Sequence, residues 1–118
     1  MHTGPASDKD TICAIATPPG RGGVGIIRIS GANSLHIAKQ LSSVVNITPR
    51  TAHFSSFKTS QGEVIDTGLL LFFSNPGSFT GEDIIELQVH GSPVVLNRLL
   101  SLICELGARL AEPGDFSK

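Results

Sequence analysis

The sequence predicts an α/β (α+β) domain, one mixed β-sheet with two helices on a face. Short β-branched runs such as TICAIA (11–16), VGIIRIS (24–30) and DIIELQVH (83–90) have the length and alternation of strands. Two longer stretches, about 33–44 and 92–106, place apolar residues at helical spacing. The resulting order, β-β-α-β-β-β-α-β, suits an α/β sandwich with split β-α-β halves.

The elements follow in order along the chain. Residues 1–9 (MHTGPASDK) are polar, small and unpatterned, and read as a disordered start to a domain at 10–118. TICAIA is a strand that stops at TPPGRGG, where prolines and glycines continue neither element. In VGIIRIS, alternation puts Ile27 and Ile29 on one face and Ile26, Arg28 and Ser30 on the other. The first helix runs from about Asn33 to Val44, capped by Asn33 or Ser34, with Leu35, Ala38, Leu41 and Val45 as its apolar stripe. TAHFSSFK (51–58) and EVIDTGLLLFFS (63–74) form a hairpin through SQG (60–62), and SNPGSFTGED (74–83) is a loop. The second helix has Ser92 as N-cap, Pro93 at its first position and Gly107 as the C′ residue. Its polar residues Asn97, Ser101 and Glu105 make one narrow stripe, so the helix is expected to be largely buried. ARLA (108–111) is a last short strand.

Composition excludes several function classes. The chain has 118 residues, the size of one domain, and 40% of them are apolar, enough for a single core. Tyr and Trp are absent, so that core is expected to be aliphatic. Net charge is −1 with no run of like charge, which leaves no basic face to grip a phosphate backbone. Cys13 and Cys104 sit inside apolar runs and read as small buried hydrophobes, with no CxxC or HxxxH to hold zinc. A disulfide between them stays open, although without a signal peptide a reducing cytosol is the simpler expectation. No apolar stretch approaches the 18 or so residues of a membrane span.

Three motifs suggest chemistry. GRGGVG (20–25) satisfies the dinucleotide fingerprint GxGxxG, but a strand follows where the pyrophosphate needs a helix N-terminus. A tight connection between strands is the better reading, and a Walker loop is absent because no Gly-Lys-Ser/Thr follows. IDTG (65–68) carries the Asp-Thr-Gly of aspartic proteases, which share one proton between two aspartates across a dimer axis. Two helical patterns oppose that reading, and Asp66 is better taken as a turn or strand-edge residue. In DIIELQVH, alternation puts Glu86, Gln88 and His90 on one face of what reads as a central strand. A carboxylate there needs a cation or a ligand, and Arg28 has the complementary need. An internal Arg28–Glu86 ion pair and a ligand site stand level on the residues alone. His2, His36 and His53 read as surface, and no Ser/His/Asp or Cys/His set is present.

Three ordered blocks, TPPGRGGVGIIRISG (17–31), SFTGEDIIELQVHG (78–91) and EPGDFS (112–117), resemble the N-terminal domain of the TrmE (MnmE) family of bacterial tRNA-modification GTPases. The resemblance spans nearly the whole chain. It departs at Glu112, where the family usually has Arg, at Phe72, where Trp is common, at Ser74-Asn75 in place of Pro-Gly, and at Lys118 where Glu is usual.

The resemblance implies a fold similar to the tetrahydrofolate-binding domain of glycine-cleavage aminomethyltransferase. It implies a cytoplasmic homodimer that binds 5-formyltetrahydrofolate or methylenetetrahydrofolate as a one-carbon source. The family's folate contacts fall on Arg28 and Glu86, which tips that pair towards ligand binding. A further family contact, a lysine beyond the last block, is not within the chain. In the full-length protein the resemblance implies a helical domain carrying a GTPase that uses GTP, K⁺ and Mg²⁺. It also implies an FAD-containing partner, the tRNA uridine modification subunit (MnmG/GidA), and an aminomethyl-type addition at C5 of the wobble uridine (U34) of tRNA. Catalytic and metal-binding residues are expected to be absent from this chain, and a pure dimerisation or assembly module is the alternative from another class.

Overall fold

A computed structural model describes residues 11–16, 23–74 and 83–111. Its elements are β1 (Ile12–Ile15), β2 (Val24–Ser30), α1 (Ser34–Leu41), β3 (Ala52–Lys58), β4 (Val64–Phe73), β5 (Ile84–His90), α2 (Pro93–Glu105) and β6 (Arg109–Leu110). This is the order that the sequence patterns predict. The strands form one six-stranded sheet in the order β3-β4-β5-β2-β1-β6. Neighbours are antiparallel except β1 and β6, which are parallel, so the sheet is mixed. The expected disordered start at 1–9, the loop residues 17–22 and 75–82, and the block at 112–118 lie outside the described residues.

Alternation along β2 and β5 divides the sheet into two unlike faces. One face carries Ile27, Ile29, Ile85, Leu87, Leu70 and Phe57, all fully buried. Ile37, Ala38 and Leu41 of α1 and Leu96, Leu99, Leu102 and Ile103 of α2 join them in a single apolar core, so both helices cover this face. Among the described residues Phe57 and Phe72 are its aromatic members and Cys13 its thiol, and the rest is aliphatic as composition predicts. The opposite face carries Ile26, Arg28, Glu86, Gln88, Leu69 and Leu71, all half-buried, and no described helix lies on it.

Helix α1 stops at Leu41, three residues before the expected end. Ser42 turns to an extended conformation and bridges to Phe57 on β3. The Ser43 backbone N–H donates to Ser55 Oγ at 2.9 Å, and the two serine hydroxyls lie 3.1 Å apart. Serines offer the backbone such alternatives to a helix, and here the alternative wins. The buried stripe is Ser34, Ile37, Ala38 and Leu41, whereas Val45 is 84% exposed and lies outside the helix.

Helix α2 begins at Pro93 as expected, although the Ser92 side chain makes no capping bond. Its C-terminus is a Schellman motif. Gly107 (φ +126°) takes the left-handed position, its N–H donates to Cys104 O, and the Ala108 N–H donates to Ile103 O. The helix is buried on one side only, contrary to expectation. Val94 is 67% exposed, and Arg98 widens the polar face by reaching Glu63 at 3.1 Å.

Two glycines permit close packing. A Cβ on Gly25 would lie 2.8 Å from Leu96 and 3.2 Å from the Gly91 backbone, so the last glycine of GRGGVG lets α2 lie close on β2. It sits within a strand, as the failed dinucleotide fingerprint requires. A Cβ on Gly68 would fall 2.0 Å from the Gln88 carbonyl oxygen, which no rearrangement of side chains relieves. The glycine of IDTG therefore serves the approach of β4 to β5.

Both cysteines are free thiols, with Sγ atoms 3.9 Å apart between β1 and α2. Cys13 is buried, as expected, but Cys104 is only half-buried. Burial, followed by the charge of and hydrogen bond with Cys104, pushes the Cys13 thiol up to about 12. The thiolate is the reactive form, so Cys13 is inert in the folded protein. Iodoacetamide at neutral pH is expected to alkylate Cys104 first, with Cys13 following only on denaturation. Peptide mass mapping of native and denatured samples checks this, and equal labelling of both thiols in the native protein refutes it.

Candidate functional site

The centre of the helix-free face is a cross-strand ion pair. Arg28 on β2 stands directly opposite Glu86 on β5, and these are the fourth and third of six strands in the sheet order. Arg28 Nη2 donates to Glu86 Oε2 at 2.8 Å. Gln88, two residues along on the same face, donates from Nε2 to Glu86 Oε1 at 3.2 Å. Both carboxylate oxygens thus have a partner, and Glu86 is only 14% exposed while Arg28 is 37% exposed. The structure brings the two predicted site residues together.

The pair's surroundings form a flat floor. Register places Leu71, Glu86, Arg28 and Ala14 in one row across four strands. The next row is Leu69, Gln88 and Ile26. Val24, 54% exposed, stands opposite His90 one row further along. A planar molecule lying on this surface would meet apolar side chains beneath it and the Arg28–Glu86 pair beside them. Glu86 accepts two of the four or so hydrogen bonds that a carboxylate can take, and the exposed guanidinium has N–H donors to spare. The site can bind a ligand that presents both donors and acceptors. Among the described residues no group of three metal-ligating side chains occurs.

A second polar pair ties the end of β5 to β4. Asp66 of β4 accepts the His90 backbone N–H at 2.9 Å on Oδ2. The His90 ring Nδ1 lies 3.0 Å from each Asp66 oxygen. Asp66 is neither a turn residue nor on an edge strand, because β4 lies between β3 and β5. Sequence reasoning grouped His90 with Glu86 and Gln88 but missed its link to Asp66, which lies 24 residues away. His53 was expected at the surface. It is half-buried, and its Nε2 accepts the Thr48 N–H at 2.9 Å, which fixes the turn before β3.

Burial on its own would push the Asp66 carboxyl up. Hydrogen bonds from the His90 N–H, the His90 ring and the Thr67 N–H, with the charge of His90, together hold it below its ordinary value of 3.8. A lowered folded-state pKa gives stability that is present above the unfolded value and lost as pH falls through the folded one. Asp66→Asn is expected to cost about 1 kcal/mol near neutral pH. That difference should shrink as pH drops below 3.8. Urea unfolding of both proteins across that range checks the sign, and a gap that widens in acid would contradict it.

Comparison with known proteins places this chain in a family. Residues 11–118 match the family described as "GTP-binding protein TrmE N-terminus". A tRNA modification GTPase MnmE from Laribacter hongkongensis is 61% identical over 109 residues, covering 92% of this chain and 24% of that relative. Proteins of the same name from Dechloromonas aromatica and Neisseria meningitidis serogroup B are 61% and 60% identical, covering 93% and 92% of this chain. The chain spans about a quarter of the length of these curated relatives. With a family match across every described element and such identity over nearly all its length, the chain belongs to the family formed by the N-terminus of the protein TrmE.

Proposed function

We propose that this domain binds a reduced folate, 5-formyltetrahydrofolate or a methylene form, on the helix-free face of its sheet. The observation that carries the reading is the Arg28–Glu86 pair at the centre of that face, flanked by Leu69, Leu71 and Ile26. A reduced pterin is flat, with an amino and ring N–H edge that suits a carboxylate and ring acceptors that suit a guanidinium. When bound, the folate supplies a one-carbon unit. Glu86 would hold the donor edge, Arg28 the acceptors, and Gln88 would keep the carboxylate in orientation.

The pair's exposure supports a role beyond stability. Ion pairs open to solvent contribute about 0–1 kcal/mol, whereas breaking a fully buried pair costs about 3–5 kcal/mol. With Arg28 37% exposed, this pair is nearer the first case, so structural need alone is a weak reason to place charges in mid-sheet.

The wider reading rests on the relatives named tRNA modification GTPase MnmE. The full-length protein would be a cytoplasmic homodimer in which another domain binds GTP with Mg²⁺ and K⁺. With an FAD-containing tRNA uridine modification subunit, it would add an aminomethyl-type group at C5 of U34 in tRNA, drawing carbon from the folate. The alternative, an assembly module without ligand, finds support in Phe54, Val24 and Phe73, which are 75%, 54% and 37% exposed on this same face. Dimerisation and folate binding are compatible.

Calorimetric titration of 5-formyltetrahydrofolate separates these readings. The full-length protein is expected to bind saturably, and the isolated domain more weakly because the family's lysine contact lies beyond it. Glu86→Gln should abolish binding while lowering stability by no more than about 1 kcal/mol. Unchanged binding with a stability loss of several kcal/mol would establish the ion pair as structural instead.

The domain alone is expected to hydrolyse no GTP. Its lysines are Lys9, Lys39, Lys58 and Lys118, and none belongs to a Gly-Lys-Ser/Thr phosphate loop. Phosphate release by the purified domain that tracks protein concentration through successive purification steps would overturn this.

A further inference from the structure

The proposed folate site does not use His90, yet the structure holds this side chain in one orientation at the edge of a concavity. Asp66 is ionised across the neutral range, since its pKa is lowered, and a carboxylate only accepts. The His90 nitrogen facing it, Nδ1 at 3.0 Å, must therefore carry the proton. In the neutral ring that leaves Nε2 as an acceptor, the tautomer being set by the bond at the other nitrogen. The Asp66 carboxylate is 13% exposed and also takes the His90 backbone N–H, so the ring is fixed at both ends of the residue. The His90 side chain is 73% exposed, which leaves Nε2 free to meet a ligand.

A concavity of about 380 Å³ lies beside it, lined by Val24, Thr67, Leu69, Gln88 and His90. Leu69 and Gln88 belong to the row next to Arg28 and Glu86. From Glu86 to His90 is four residues along one strand, about 13 Å at strand rise. The surface is therefore a track, with a donor–acceptor pair at one end, apolar and amide side chains in the middle, and a fixed acceptor at the other.

We propose that His90, held by Asp66, is a specificity-determining residue that accepts a secondary amide N–H from the far end of an elongated ligand whose ring system lies at Arg28–Glu86. The inference rests on the folate reading and extends it. Folates join their aromatic ring to glutamate through such an amide, so the track would favour the glutamate conjugate. The free acid, the pteroate, puts a carboxylate at this position, where it would meet an acceptor and, behind it, the Asp66 charge.

The test is calorimetric titration of the full-length protein with 5-formyltetrahydrofolate and with 5-formyltetrahydropteroate. Wild type is expected to prefer the conjugate by about tenfold, the scale of one well-placed hydrogen bond. His90→Ala should lose that preference by weakening the conjugate alone, and His90→Gln, which keeps an acceptor near the Nε2 position, should retain part of it. Thermal midpoints of both variants close to wild type would show that the loss is not one of folding. A preference that survives in His90→Ala, or a wild type that binds both ligands equally, overturns the inference while leaving the Arg28–Glu86 site intact. Equal weakening of both ligands by Ala and Gln alike, with a fall in thermal midpoint, assigns His90 a structural role and also overturns it. Failure of either ligand to bind wild type defeats the folate reading itself.

Discussion

The antiparallel pairing of β2 with β5 is the constraint on which the other features depend. Seven consecutive partners, from Val24–His90 to Ser30–Ile84, lock the two central strands in one register. A slip of β2 by one residue against β5 would send Ile27 and Ile29 out of the core and bring Arg28 beneath the helices. The burial of these large aliphatic side chains therefore enforces the register that sets a guanidinium opposite a carboxylate. The helix-covered face supplies the free energy, and the other face inherits its geometry without contributing much to it.

Such an arrangement lets chemistry on one surface vary without disturbing stability on the other. Ionic groups in mid-sheet ordinarily bear a desolvation cost, which falls when one of them reaches solvent. Arg28 is the solvated partner, while Glu86 is the more enclosed and is held by two donors. The carboxylate is thus fixed and the guanidinium is the adaptable half, a division suited to recognition by a rigid acceptor and a yielding donor.

The sequence made much of this legible because its periodicities are clean where the core is densest. VGIIRIS and DIIELQVH alternate without interruption, and the strands span 24–30 and 84–90. Opposed charges on two such strands were enough to suggest the Arg28–Glu86 pair. What stayed hidden involved partners distant in sequence. The early end of α1 depends on Ser55 of β3, the one-sidedness of α2 on which of its aliphatic residues the sheet reaches, and the Asp66–His90 link on the register of β4 with β5. An Asp-Thr-Gly tripeptide looks catalytic in isolation. Only the adjacent strand shows its glycine making room for a carbonyl and its aspartate orienting an imidazole.

The parallel pairing of β1 with β6 has a consequence for how the sheet comes into being. Ile12 pairs with Arg109 and Cys13 with Leu110, so strands from opposite ends of the described chain lie side by side. As the polypeptide leaves the ribosome, β1 emerges early but lacks its outer neighbour until residue 110 has been made. The central β2–β5 pairing likewise waits for residue 90, whereas the β3–β4 hairpin has both strands by residue 73. Assembly dominated by such long-range closure is entropically slow and exposes strand edges while it waits. The nascent domain therefore depends on what shields those edges during synthesis, a demand that a helical bundle of the same length would not make.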